Sequence, residues 1–182
     1  MIDISQKEFT LLATHIKNQY GIVIKDEKKD LLVGRLYRLV EQMGMQTFTQ
    51  YYKYLLRDTS GHAANLLINQ ITTNHTYFMR EASQFDFLIK EMLPYWKKRI
   101  HDYDLRIWCA ACATGEEAYT LAMIVDYFLG YEKKHWDSKI LATDLSKQVL
   151  EHAEIGQYKV EEVSKLPVEW QSRYLKRIDE HS

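Results

Sequence analysis

Through residues 1–71, apolar side chains recur at every third or fourth position, punctuated by capping residues and glycines. That period predicts short amphipathic helices, each with one buried stripe. Ser5 caps the first, whose stripe is Phe9, Leu12, Ala13, Ile16 and Tyr20 and whose stop is Gly21. Asp26 caps a second, with Leu32, Leu36, Leu39, Val40 and Met43 inward and Gly44 at its end. Thr47 opens a third through Tyr51 and Leu55, and Ser60 opens a fourth through Ala64, Leu67, Ile68 and Ile71. Together they predict a compact helical bundle.

Residues 72–81 break this rhythm. The run Thr72-Thr73-Asn74-His75-Thr76 favours bonding of side chains to the local backbone, which predicts a loop or a frayed helix end. A long helix follows through Phe85, Leu88, Met92 and Trp96, tolerating Pro94 near its end. The pattern then changes to a strand over 105–109, a helix over 116–129, a strand over 139–143 and a helix over 146–155. This β-α-β-α order implies parallel strands joined by a right-handed crossover. Beyond Gly156, helical pieces surround Pro167. The expected fold class is α/β but mostly helical, with a helical domain at 1–71, a connecting loop and helix at 72–104, and a partial Rossmann-like portion at 105–182. Two strands alone make a marginal sheet. Further strands are therefore expected in a part of the parent protein outside this chain, or a second copy covers the open edge as a homodimer.

Composition narrows the function classes. A net charge of −1 on 182 residues argues against bulk attraction to nucleic acid, leaving only a local basic face. No apolar run approaches the roughly 20 residues of a membrane span, so direct membrane insertion is not expected. Met1-Ile2-Asp3-Ile4-Ser5 lacks the architecture of a secretion signal, and the cysteines number two, so a reducing cytoplasm is the default expectation.

The chemistry concentrates where the first strand meets its helix. Ala110, Ala111, Ala113 and Gly115 are small enough for a ligand to approach the backbone closely, and Glu116 and Glu117 open the helix. Paired acids there would repel a pyrophosphate but suit a cationic ligand, although they equally complement the helix dipole. Asp144, at the tip of the second strand, can accept hydrogen bonds from a ribose diol. Cys109 and Cys112 form a Cys-Ala-Ala-Cys pair that invites a redox reading beside the simpler one of small packed turn residues. One pair cannot complete a zinc site, and His101 and His135 lack ligand spacing, so no metal is expected.

Three stretches carry a resemblance. Cys109-Ala110-Ala111-Cys112-Ala113-Thr114-Gly115-Glu116-Glu117 resembles the cofactor loop S-A-A-C-S-T-G-E-E-P-Y-S of the CheR family, the chemoreceptor glutamate O-methyltransferases. Residues 72–81, reading TTNHTYFMRE, resemble its T-T-N-x-T-x-F-F-R-E. Ala142-Thr143-Asp144-Leu145-Ser146, then Val149-Leu150 and Gly156-Gln157-Tyr158, resemble its A-T-D-I-S…V-L…G-x-Y. The helical front half, with Gly21-Ile22 and Arg35-Leu36-Tyr37-Arg38-Leu39, is similar to its N-terminal domain.

The resemblance implies an S-adenosylmethionine-dependent methylation of receptor glutamates. It implies cofactor contacts at Asn74, Thr76, Arg80, Glu117 and Asp144, with Asp144 on the ribose and Glu117 near the amino-acid end. Arg80 would lie by the methionine carboxylate or the substrate carboxylate, the one position expected to act in catalysis. Glutamate, with a pKa of about 4.3, is ionised at neutral pH and can attack the sulfonium methyl without a general base. Lys28, Arg35 and Arg38, with Lys25 and Lys29 nearby, would face the acidic helical bundle of a chemoreceptor. Glu27, Asp30 and Glu41 interspersed among them also suit a plain solvated face. Ala118 stands where the family has proline, and His75 and Met79 occupy variable or usually aromatic positions. The family's R-N-V-x-x-Y-F segment and small β-subdomain have no counterpart before Ser182, so the expectation is a chain incomplete for catalysis by itself. A non-catalytic receptor- or protein-binding module of the same descent is the alternative.

Overall fold

The computed structural model describes residues 2–178, and the chain divides after Thr73 into two compact units.

The first unit is helical. Helix α1 (Gln6–Tyr20) begins at Ser5 with a reciprocal capping box to Glu8 and ends at Gly21, burying Phe9, Leu12 and Ile16. Helix α2 (Lys29–Gln42) buries Leu32, Leu36, Leu39 and Val40 in the same core. The predicted cap at Asp26 is displaced, because residues Asp26–Lys28 first form a 3-10 turn and the α-helix starts one turn later. Helix α3 (Phe48–Arg57) is capped by Thr47, as its side chain predicts, and buries Phe48, Tyr51 and Leu55. Helix α4 (His62–Ile71) is not opened by Ser60. Its cap residue is Gly61, and the Asp58 carboxylate takes the Ala63 N–H at 2.6 Å. The stripe shifts accordingly, so that Ala63 rather than Ala64 is buried.

The second unit opens with residues 74–77 in irregular structure and a tight turn at 78–81. The single long helix expected next is three pieces: α5 (Ala82–Phe87), a π-helical turn at Leu88–Met92, and α6 (Leu93–Lys97). Pro94 supplies the reason. Its ring would strike the carbonyl four residues back and it has no N–H to give, and widening the preceding turn relieves both.

Strands β1 (Ile107–Ala110) and β2 (Ile140–Thr143) pair in parallel, with Ile107 opposite Ile140 and Ala110 opposite Thr143. Between them runs α7 (Glu116–Leu129), and after them α8 (Lys147–Ile155), α9 (Val160–Val163) and α10 (Val168–Tyr174). One sheet face carries Ile107, Cys109, Ile140 and Ala142 into a core shared with Leu121 and Ile124 of α7. The other face is open, with Trp108 68% and Leu141 60% exposed. Among the described residues no helix is long and apolar enough to cross a membrane.

Candidate functional site

The turn after β1 is built from backbone that L-residues avoid. Ala111, Ala113 and Gly115 all have positive φ, at +62°, +47° and +100°. Each alanine there costs on the order of 1–3 kcal/mol, so the surroundings must enforce the shape. They do so through the second strand. The Cys112 N–H donates to the Thr143 carbonyl at 2.9 Å, and the Ala113 N–H donates to the Asp144 carboxylate at 2.9 Å. The other Asp144 oxygen takes the Ser146 N–H at 2.9 Å, and the Ser146 hydroxyl in turn caps α8. Asp144 thus locks the turn after β1 to the turn after β2. With one N–H on each oxygen, about half of a carboxylate's four acceptor positions remain for a ligand.

The two acids that open α7 behave differently. Glu116 is buried at 6% exposure and accepts the Thr114 hydroxyl at 2.6 Å, so it belongs to the turn itself. Glu117 is exposed. The expectation of two acids facing a cationic ligand therefore narrows to Glu117 alone. Beside it, the buried Cys109 thiol lies 3.7 Å from the Glu117 carboxylate. Burial, then that carboxylate, push the thiol pKa up to about 12. Cys112 is raised by burial and by Asp144. Neither cysteine forms a disulfide, and such thiols stay protonated, so the redox reading of the pair gives way to packing. Gly115 offers α7 no side-chain cap, which leaves the first-turn N–H groups to the backbone, water or a ligand.

Segment 74–81 is a second strained stretch, with φ of +60° at Met79 and +57° at Glu81. Arg80 is exposed, and one of its guanidinium nitrogens returns to the His75 carbonyl at 3.0 Å. Asn74 and Thr76 are half-buried. Phe78 is buried and stands edge-on to Tyr158, with ring centroids 4.9 Å apart. Tyr158 donates to the Thr114 carbonyl at 2.5 Å and so connects this segment to the turn that Asp144 holds. Sequence reasoning assigned Tyr158 no role. Its signals were its place two residues beyond a helix-ending glycine and in the stretch that resembles the family's G-x-Y.

In the first unit the basic residues also separate. Lys28 and Arg38 are exposed. Arg35 is half-buried, and its guanidinium donates to the Ile71 carbonyl and, at 2.7 Å, to the Thr73 hydroxyl. A shallow groove bordered by Ile22, Val23 and Leu31 lies beside Lys28 and Arg35. Among the described residues no three His, Cys, Asp or Glu side chains gather as a metal site would require.

Comparison with known proteins agrees with both units. Residues 74–182 match the family described as CheR methyltransferase, SAM binding domain, and residues 7–72 match the CheR methyltransferase all-alpha domain. The chain is 36% identical over 182 residues to the chemotaxis protein methyltransferase of Borreliella burgdorferi, a match covering 98% of this chain and 64% of that protein. It is 34% identical over 174 residues to the Escherichia coli chemotaxis protein methyltransferase, covering 96% of this chain and 58% of the relative. With the Pseudomonas aeruginosa chemotaxis protein methyltransferase 1 it shares 33% identity over 155 residues, covering 83% and 56%. The chain spans between 56% and 64% of the length of these relatives. A helical unit followed by a partial α/β unit, each matched to its counterpart in the same order, places this chain in the CheR methyltransferase family.

Proposed function

We propose that this chain carries the S-adenosylmethionine-binding part of a protein-glutamate O-methyltransferase that methylates side-chain carboxylates on chemotaxis receptors. The observation that carries the reading is the Asp144 carboxylate. It joins the two strand-end turns while keeping acceptor positions for the paired hydroxyls of a ribose. The exposed Glu117 suits the positive charge of the cofactor's amino-acid end, and the small, exposed Ala111 leaves its part of the turn backbone approachable. The donor set therefore fits S-adenosylmethionine. When bound, this cofactor supplies an electrophilic methyl group.

The chain's own work is positioning. Asn74 and Thr76 add polar groups from the second strained stretch. Arg80 spends one donor on its own loop and has others of its five N–H groups for a carboxylate, whether of the cofactor or of the receptor glutamate. The accepting glutamate is already ionised near neutral pH, so no residue here has to take its proton. Rate enhancement then rests on alignment of two bound partners and on exclusion of water. Lys28 and Arg35 present positive charge beside the apolar groove, and the exposed Arg38 adds to the charge of the same helix, a combination that suits an acidic amphipathic helix of a receptor's cytoplasmic bundle. A cytoplasmic location follows from that partner, and pairing of two copies over the open sheet face belongs to the same proposal.

The test is calorimetric titration of S-adenosylmethionine into the chain and its Asp144→Asn and Asp144→Ala variants. Both should bind at least about tenfold more weakly, alanine the more so, because each ribose bond to a charged acceptor contributes roughly 1.5–3 kcal/mol. Unchanged affinity overturns the assignment of Asp144. Transfer of a radiolabelled methyl group to receptor then separates an enzyme from a protein-binding module of the same family, which would bind without transfer.

A further inference from the structure

The stretch Gly156-Gln157-Tyr158 has no part in the function proposed so far, yet its geometry ties several stretches of the second unit together. Gly156 ends α8 with φ of +64°, and its N–H returns to the His152 carbonyl. A Cβ at Gly156 would stand 2.9 Å from the Tyr119 hydroxyl, which itself donates to the Ala153 carbonyl at 2.8 Å. The chain is thereby turned sharply against α7, which delivers Tyr158 to the turn after β1. There its hydroxyl donates to the Thr114 carbonyl at 2.5 Å. It also packs so close to Gly115 that a Cβ there would lie 2.8 Å from the tyrosine oxygen. The ring meets Phe78 at 4.9 Å, His152 at 5.6 Å and Tyr119 at 6.0 Å, all edge-on.

One side chain therefore touches every stretch that the proposed cofactor site draws on, apart from the tip of β2, which the turn itself reaches through Asp144. Burial, then the Glu116 carboxylate, raise the phenol above its ordinary value, so the hydroxyl remains a donor at neutral pH. The Thr114 carbonyl precedes Gly115 and the first N–H groups of α7, so its orientation sets theirs.

Resting on the S-adenosylmethionine reading above, we propose that Tyr158 is the positioning residue of the site: its hydroxyl holds the 113–117 turn and its ring holds segment 74–81 against that turn. A tyrosine that merely fills the core would need its ring and not its hydroxyl. Tyr158→Phe removes the hydroxyl and keeps the ring, while Tyr158→Ala removes both.

Two measurements on the whole chain decide the matter. Amide exchange without cofactor should rise on the order of tenfold at residues 113–117 in Tyr158→Phe, with Ile124 and Val125 of α7 unchanged. In Tyr158→Ala the rise should extend to residues 77–80. S-adenosylmethionine titrated into Tyr158→Phe should bind on the order of fivefold to tenfold more weakly than to the wild type. Unchanged exchange at 113–117, or looser exchange with full affinity, overturns the positioning role while leaving the cofactor reading intact. If the wild-type chain itself fails to bind the cofactor, the reading beneath the proposal falls, and the proposal with it.

Discussion

Arg35 and Arg38 lie one helical turn apart on α2, yet they are different kinds of residue. Arg38 is exposed, whereas Arg35 satisfies the C-terminal carbonyl of α4 at Ile71 and the hydroxyl of Thr73. Charge reversal should separate them. Arg38→Glu should weaken receptor binding and leave amide exchange at 71–73 unchanged. Arg35→Glu should weaken binding and also speed that exchange on the order of tenfold, since it removes two hydrogen bonds to the segment. Equal behaviour of the two variants would contradict the assignment of Arg35 as a clamp. The sequence could not separate these arginines, because the partners of Arg35 lie 36 and 38 residues away. The same blindness applies to Glu116 and Glu117. Two identical neighbours at a helix start give no phase, and only the folded turn decides which one faces inward. Tyr158 was invisible as a clamp because its partner is a backbone carbonyl 44 residues distant, which leaves no mark in residue type.

At the scale of elements, periodicity and caps carried most of the information. The bounds of α7 follow from Gly115 and Gly130, and the start of α1 follows from Ser5 and Glu8. Local pattern failed at α4, where Asp58 and Ser60 both compete to cap and the carboxylate takes the deeper donor. It failed again at the π turn, which answers a steric clash rather than any preference of residues 88–92. Glu8 shows how much one cap can do. One of its oxygens accepts the Ser5 N–H and hydroxyl, and the other accepts the Thr49 N–H and hydroxyl at 2.8 Å, so a single carboxylate serves the starts of α1 and α3. Burial would raise its pKa, but the bonds from Ser5 and Thr49 outweigh it and hold the group below the ordinary glutamate range. A depressed folded pKa means the stabilisation is complete above the unfolded value and is lost as pH falls through the folded one. Glu8→Ala should therefore cost about 1–2 kcal/mol at neutral pH, on the scale of other helix caps. The difference from wild type should shrink below the ordinary carboxylate range. Urea unfolding followed by exchange in α1 and α3 measures both, and a difference independent of pH would refute the capping account.

For the molecule as a whole, the main departure from a self-contained α/β fold is the open face of the sheet, where Trp108 and Leu141 stand opposite each other. Apolar residues so placed favour association. The chain should sediment as a concentration-dependent dimer, and Leu141→Lys should shift it toward monomer without altering its helical content. A wild-type chain that stays monomeric at every concentration would remove the homodimer from the proposal. The small size of the sheet was legible in the sequence, whereas which side chains lay uncovered depended on register. The same face has an optical consequence. Trp136 and Trp170 are buried, Trp96 is partly so, and Trp108 stands in water with its indole N–H on the Thr143 hydroxyl. Its fluorescence is accordingly the red-emitting, quencher-accessible fraction of the chain's signal. Any strand, subunit or partner that settles on the sheet will shift that fraction to the blue, so the molecule carries its own dye at the surface whose occupancy matters most.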